Sequence, residues 1–118
     1  DQPRSRGLGD VYKRQGDIIV MDTDGYLNNV GGEIIANECY VQIDKGKKHF
    51  VLNMEKSPVV NSIGVSILIE IIEKLQDVDG TLGYYNLAPI VDKTFNIMGL
   101  TKYSTIYTDE AEAIKSQS

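Results

Sequence analysis

The sequence predicts a single α/β domain built on a largely parallel sheet with crossover helices. Three observations carry that expectation. The chain has 118 residues, which suits one domain and is short for two. It is 42% hydrophobic and 25% charged, an ordinary globular balance that excludes a disordered, collagen-like or disulfide-stapled chain. From Gly16 onward, extended and helical signals alternate in the order βαβαβαβα with short connections, the pattern of a sheet covered by crossover helices.

Each element has its own signal. Ile18–Met21 is a β-branched run between Gly16-Asp17 and the turn residues Asp22, Asp24 and Gly25, so it reads as a strand. Glu33–Asp44 places Ile34, Ile35, Cys39 and Ile43 at helical spacing and stops before Gly46. His49–Met54 is apolar at nearly every position, as a central strand buried on both faces should be. Helical spacing then runs from Ser62 to about Asp77 and ends at Gly80, and Thr81–Tyr85 is a short Tyr-rich strand. Pro89 near its start and Gly99 just past its end bracket a third helix, Ala88–Met98. Ser104–Tyr107 is the last strand, and Asp109–Lys115 a short helix capped by Asp109 or Thr108.

Residues 1–15 differ from the rest. They hold four basic residues (Arg4, Arg6, Lys13, Arg14) against Asp1 and Asp10, lack apolar periodicity, and resemble translated sequencing-adapter read-through. The segment is read as non-native or disordered and residues 16–118 as the domain. The alternative is an edge strand in which Val11 and Tyr12 pair with the next strand across Gly16.

Charge and composition narrow the function. A formal charge of −5 argues against a nucleic-acid backbone or an anionic membrane as the main partner. The longest apolar stretch, Val65–Leu75, is cut by Ser66, Glu70, Glu73 and Lys74 and falls short of the roughly 18 residues of a membrane span. With Cys39 the sole cysteine, no intrachain disulfide can form, and a reducing cytoplasm is the expected compartment. One His and one Cys cannot make a structural zinc site, and no metal or cofactor is expected.

Catalytic devices fall away one by one. His49 would have to serve any Ser-His-Asp or Cys-His arrangement, yet it sits in a strand beside Phe50 and Val51, where a partly exposed strand-end histidine is the simpler reading. Asp22 and Asp24 have same-face spacing for acid/base work, but ordinary turn acids explain them. Gly31-Gly32 has no Walker lysine, and Glu33 would repel a phosphate.

The informative stretch is Val59–Leu75. Asn61 and Ser62 stand where loop hands over to helix, and both are preferred N-cap types. Ser62 is therefore either a cap or a hydroxyl placed where free backbone N–H groups and the positive end of a helix favour a phosphoryl group. Val65, Leu68, Ile69, Ile72 and Leu75 form one arc facing a sheet. Ile63, Ile67 and Ile71 widen that arc, and are either covered by neighbouring helices or left as an apolar strip beside Ser62 suited to a protein interface.

With those residues in view the chain resembles a STAS domain of the anti-sigma factor antagonist family over Gly16–Ile114. Asp24-Gly25-Tyr26-Leu27-Asn28 resembles that family's G-x-L-D turn. Leu52-Asn53-Met54 followed by Val60-Asn61-Ser62-Ile63-Gly64-Val65 is similar to its strand, loop and D-S-S/T-G helix start. Pro89, Phe95 and Met98-Gly99-Leu100 look like its third helix and exit. The chain departs from the pattern where Asn28 and Asn61 replace Asp, Ile63 replaces a second hydroxyl residue, and Ser66 replaces Gly.

The resemblance implies a single STAS-type domain with a mixed, mostly parallel four- to five-stranded sheet, about four crossover helices and a strand ahead of Gly16. It implies a non-enzymatic switch: an anti-sigma factor antagonist that binds an anti-sigma factor with serine kinase activity and thereby releases a sigma factor. Ser62 matches the phosphoacceptor, a serine phosphatase is a further expected partner, and the partner-binding residues are expected at Asn28, Asn61, Ile63, Gly64 and Ile67. The alternative is a STAS interaction module of another bacterial assembly, such as a stress-signalling scaffold or a lipid-transport complex, in which Ser62 is only a cap. A small-molecule sensor or enzyme is the third class.

Overall fold

The computed structural model describes residues 11–15 and 18–117, with side chains from 18 to 116. Five strands form one sheet in the order β1 (Val11–Gln15), β2 (Ile18–Asp24), β3 (His49–Lys56), β4 (Thr81–Tyr85) and β5 (Thr105–Ile106). β1 runs antiparallel to β2, with Val11 opposite Asp22 and Gln15 opposite Ile18. The remaining pairs are parallel, with Val51 of β3 beside Val20 and Gly83. β1 thus has the edge-strand geometry held as the alternative for its segment, while residues 1–10 lie outside the described residues.

The helices are α1 (Asn29–Asp44), α2 (Ser62–Gln76), α3 (Pro89–Ile97) and α4 (Glu110–Gln117), and a 3₁₀ turn, Leu100–Lys102, follows α3. α1, α2 and α3 connect parallel neighbours that always step the same way across the sheet. Right-handed crossovers then place all three on one face. Strand alternation agrees: Ile19, Met21, Phe50, Leu52, Leu82 and Tyr84 point into the large core with the residues of these helices. The intervening Ile18, Val20, Val51 and Tyr85 form a smaller core on the other face, closed by Ala113 and Ile114 of α4. Three helices are therefore crossovers, and the fourth caps the second face. β3 is central and covered on both sides, with Phe50, Val51 and Leu52 all 0% exposed.

Two departures from the sequence-based reading bear on function. α1 begins four residues before the expected Glu33, because Asn28 supplies its cap and Gly31 and Gly32 lie inside its first turn. Those glycines are buried at a close crossing: a Cβ on Gly32 would meet Cδ1 of Ile67 on α2 at 2.8 Å. The same crossing covers Ile67 and Ile71, 9% and 0% exposed. Of the three isoleucines that widen the α2 arc, only Ile63 is left open, at 54%.

Candidate functional site

The site is built from two loops that run side by side beyond the carboxyl ends of β2 and β3. Gly25 N–H donates to Lys56 O at 2.8 Å, Leu27 N–H to Val59 O at 2.9 Å, and Asn61 N–H to Leu27 O at 3.0 Å, so Leu27 and Val60 form a parallel bridge past the end of the sheet. Beneath the bridge, the buried hydroxyls of Thr23 and Ser57 lie 2.7 Å apart and tie the strand ends together. Gly64 completes the clamp: a Cβ there would stand 2.2 Å from Leu27 O, so only glycine allows the start of α2 to approach the first loop this closely.

This clamp sets the starts of α1 and α2 next to each other with matching caps. Asn28 Oδ1 accepts from Gly31 N–H at 3.1 Å, and Asn61 Oδ1 accepts from Gly64 N–H at 2.8 Å. Both side-chain carbonyls satisfy donors that a helix start leaves orphaned, as Asp would, but without charge. Neither helix carries an acidic residue in its first turn.

Because Asn61 is the cap, Ser62 is not. It is the first helical residue, its side chain is exposed, and its carbonyl accepts from Ser66 Oγ at 2.9 Å. An uncommitted hydroxyl at this position stands at a helix end whose dipole favours an anion. Large apolar side chains are exposed on the same two loops and first turns: Tyr26, Val30, Val59 and Ile63 are 47 to 56% exposed. Ile90, in the first turn of α3 at the same end of the fold, is 61% exposed.

The structure therefore brings Asn28, Asn61, Ser62, Ile63 and Gly64 together and turns Gly64 and Ile67 inward. Gly64 packs on Leu27 and Ile67 on Gly32, so their contacts are between helices and loops of the chain itself. Sequence reasoning missed Val30 and Val59 and gave Tyr26 no separate role. Apolar periodicity assigns such residues to a core, and only the pairing of the two loops shows that they share an uncovered surface.

Other chemistry-bearing residues are engaged elsewhere. His49 begins β3 with Nδ1 2.9 Å from Thr81 Oγ1, the strand-end position expected for it. Asp22 accepts from Asn53 Nδ2 at 3.0 Å on the opposite face of the sheet. Burial, helped by Glu38, pushes the Cys39 thiol well above its usual range and holds it neutral inside α1. Among the described residues no helix is long and apolar enough to cross a membrane.

Comparison with known proteins places this geometry. BtrV of Bordetella bronchiseptica, a protein named as an anti-sigma factor antagonist, is 27% identical over 82 residues, covering 70% of this chain and 71% of BtrV. A Thermotoga maritima structure described as an anti-sigma factor antagonist superposes with a TM-score of 0.83 at 16% identity, over 91% of this chain and 92% of its own. The phosphorylated form of the Bacillus cell-fate determinant SpoIIAA superposes with a TM-score of 0.70 at 24% identity, over 90% of this chain and 96% of its own. These two share the fold of the chain, and the STAS domain profile matches residues 11–113, from β1 into α4. The chain belongs to the STAS domain family.

Proposed function

We propose that this protein is an anti-sigma factor antagonist working as a phosphorylation-controlled switch. Unphosphorylated, it binds an anti-sigma factor that is also a serine kinase and frees a sigma factor; phosphorylated on Ser62, it releases that partner. The chain performs no catalysis in this scheme, and a serine phosphatase resets it. The observation that carries the reading is Ser62 itself: exposed, relieved of capping by Asn61, and ringed by Tyr26, Val30, Val59 and Ile63.

The physics of the switch follows from that placement. A phosphoryl group adds nearly two negative charges to a surface whose two helix starts carry none. Locally the charge is tolerated, because the Ser62 and Ile63 N–H groups belong to the positive end of α2 and Gly64 and Val65 N–H are satisfied by Asn61. The cost falls on the partner, whose surface must cover the apolar ring and desolvate a dianion at its centre. A penalty of roughly 3 kcal/mol weakens affinity about 150-fold, enough to release a partner held at micromolar strength.

The test is incubation of the chain with the anti-sigma kinase and ATP, followed by intact mass and by calorimetry of the parent, phosphorylated, Ser62→Ala and Ser62→Asp forms. One added phosphoryl group on the parent and none on Ser62→Ala is expected, with tight binding by the parent and Ser62→Ala and weak binding by the other two. Indistinguishable affinities across the four would end the switch reading.

A further inference from the structure

On the helical face, away from Ser62, the second half of α2 and the turn after α3 line a half-open cleft of about 400 Å³. Ile72 lies ten residues along α2 from Ser62, which is about 15 Å of helix. The volume falls in the range of roughly 300 to 1,000 Å³ typical of small-molecule clefts. Its floor is aliphatic, formed by Ile69, Ile72 and Leu100. Its far wall is held in place: Gly99 turns the chain at φ +84°, Ser104 Oγ donates to Leu100 O at 2.6 Å, and Tyr84 OH lies 3.0 Å from the same Oγ.

The rim carries opposite charges on opposite walls. Glu73, with Gln76 beside it, projects from α2, and Lys102 from the 3₁₀ turn, while Met98 and Tyr103 flank the opening and are 37% and 66% exposed. Both rim charges are solvent-exposed, so a purely apolar occupant would engage neither and an occupant with one charge would pair only one of them. A short zwitterion on an apolar body matches all three parts.

We propose that this cavity binds a free apolar α-amino acid. The carboxylate pairs with Lys102, the ammonium pairs with Glu73, Gln76 hydrogen-bonds the same head group, and the side chain rests on Ile69, Ile72 and Leu100. The proposal is independent of Ser62 and of any protein partner.

The experiment is an amide-resolved NMR titration of the full chain with L-phenylalanine and L-leucine. Phenylpropionate and phenethylamine serve as single-charge analogues, and the titrations are repeated on Lys102→Met and Glu73→Gln. Both substitutions are at exposed side chains, and melting temperatures matching the parent's confirm that they fold. Saturable shifts confined to the cavity lining are expected for at least one amino acid, with affinity reduced about tenfold or more for each analogue and each variant. The proposal is overturned if neither amino acid saturates, if an analogue binds as tightly as phenylalanine, or if a folded variant binds like the parent.

Discussion

The clamp between the two loops predicts that Gly64→Ala, a change that ordinarily favours a helix, destabilises this protein. The new Cβ would stand 2.2 Å from Leu27 O, 2.8 Å from Leu27 C and 3.2 Å from Leu27 Cγ. Two of those atoms are backbone, and Leu27 O cannot retreat freely, since it accepts from Asn61 N–H at 3.0 Å while Leu27 N–H donates to Val59 O at 2.9 Å. Relieving the overlap means opening the bridge. Two backbone hydrogen bonds at about 1 kcal/mol each and an overpacking penalty of about 1 to 3 kcal/mol outweigh a helix-propensity gain of at most about 1 kcal/mol. The expected net loss is about 2 to 4 kcal/mol, a fall in melting temperature on the order of 10 °C for a domain of this size.

Gly32→Ala is the internal comparison, because there the first obstacle is Cδ1 of Ile67 at 2.8 Å, the far end of a side chain that can turn. That variant should stay within about 1 kcal/mol of the parent, the propensity gain offsetting most of the crowding. Urea unfolding of the three proteins measures both differences. If Gly64→Ala were as stable as Gly32→Ala, the two loops would not be held in contact and the composite surface around Ser62 would lose its basis.

Three further outcomes follow from the same structure. Val51→Asp places a charge at a 0% exposed position in the central strand and should abolish cooperative thermal unfolding, where a parent-like melt would contradict the two-sided burial of β3. Asn61→Ala removes the acceptor of the Gly64 N–H and should cost about 1 kcal/mol in urea unfolding, with no loss meaning that Asn61 is not the cap. Tyr84 and Tyr85 are both held neutral above their usual range, chiefly by burial, with Glu110 adding to the effect at Tyr85. Because both phenols ionise at higher pH folded than unfolded, their contribution is fully present below about pH 10 and is lost as pH rises beyond it. Urea midpoints should therefore fall across that alkaline range, and a flat profile would show that the phenols are not held neutral.

Much of the fold was legible because it rests on local signals. The near-continuous apolar run at His49–Met54 marks a strand buried on both faces, and Pro89 and Gly99 bracket α3. What the sequence hid depends on contacts between distant segments. Gly31 and Gly32 read as lying ahead of α1 because glycine weakens helices, yet both lie in its first turn behind the Asn28 cap, with Gly32 facing Ile67 of α2 at close range. The same crossing buries Ile67, which on α2 alone looks like part of an open strip. In the candidate site, Ser62 and the two asparagines were found through motif spacing, whereas Val30 and Val59 emerge as surface only after Leu27 pairs with Val60.

The division of labour between Asn61 and Ser62 explains how a site with neither expected aspartate still suits a switch. A cap needs an acceptor oxygen within reach of the third helical N–H, and Asn61 Oδ1 meets that need at 2.8 Å from Gly64 N. Charge is not required for it. Had Asn28 and Asn61 been carboxylates, a phosphoryl dianion on Ser62 would have entered a surface already negative. At a separation on the order of 6 Å each carboxylate would have opposed it by about 1 kcal/mol even at the dielectric constant of water. With asparagines the two caps add no charge of their own, and in the proposed switch the contrast between the two states lies in the single group that a kinase adds. In the proposed switch, partner discrimination rests on desolvating that group, and the exposed Tyr26, Val30, Val59 and Ile63 supply the affinity that phosphorylation would remove.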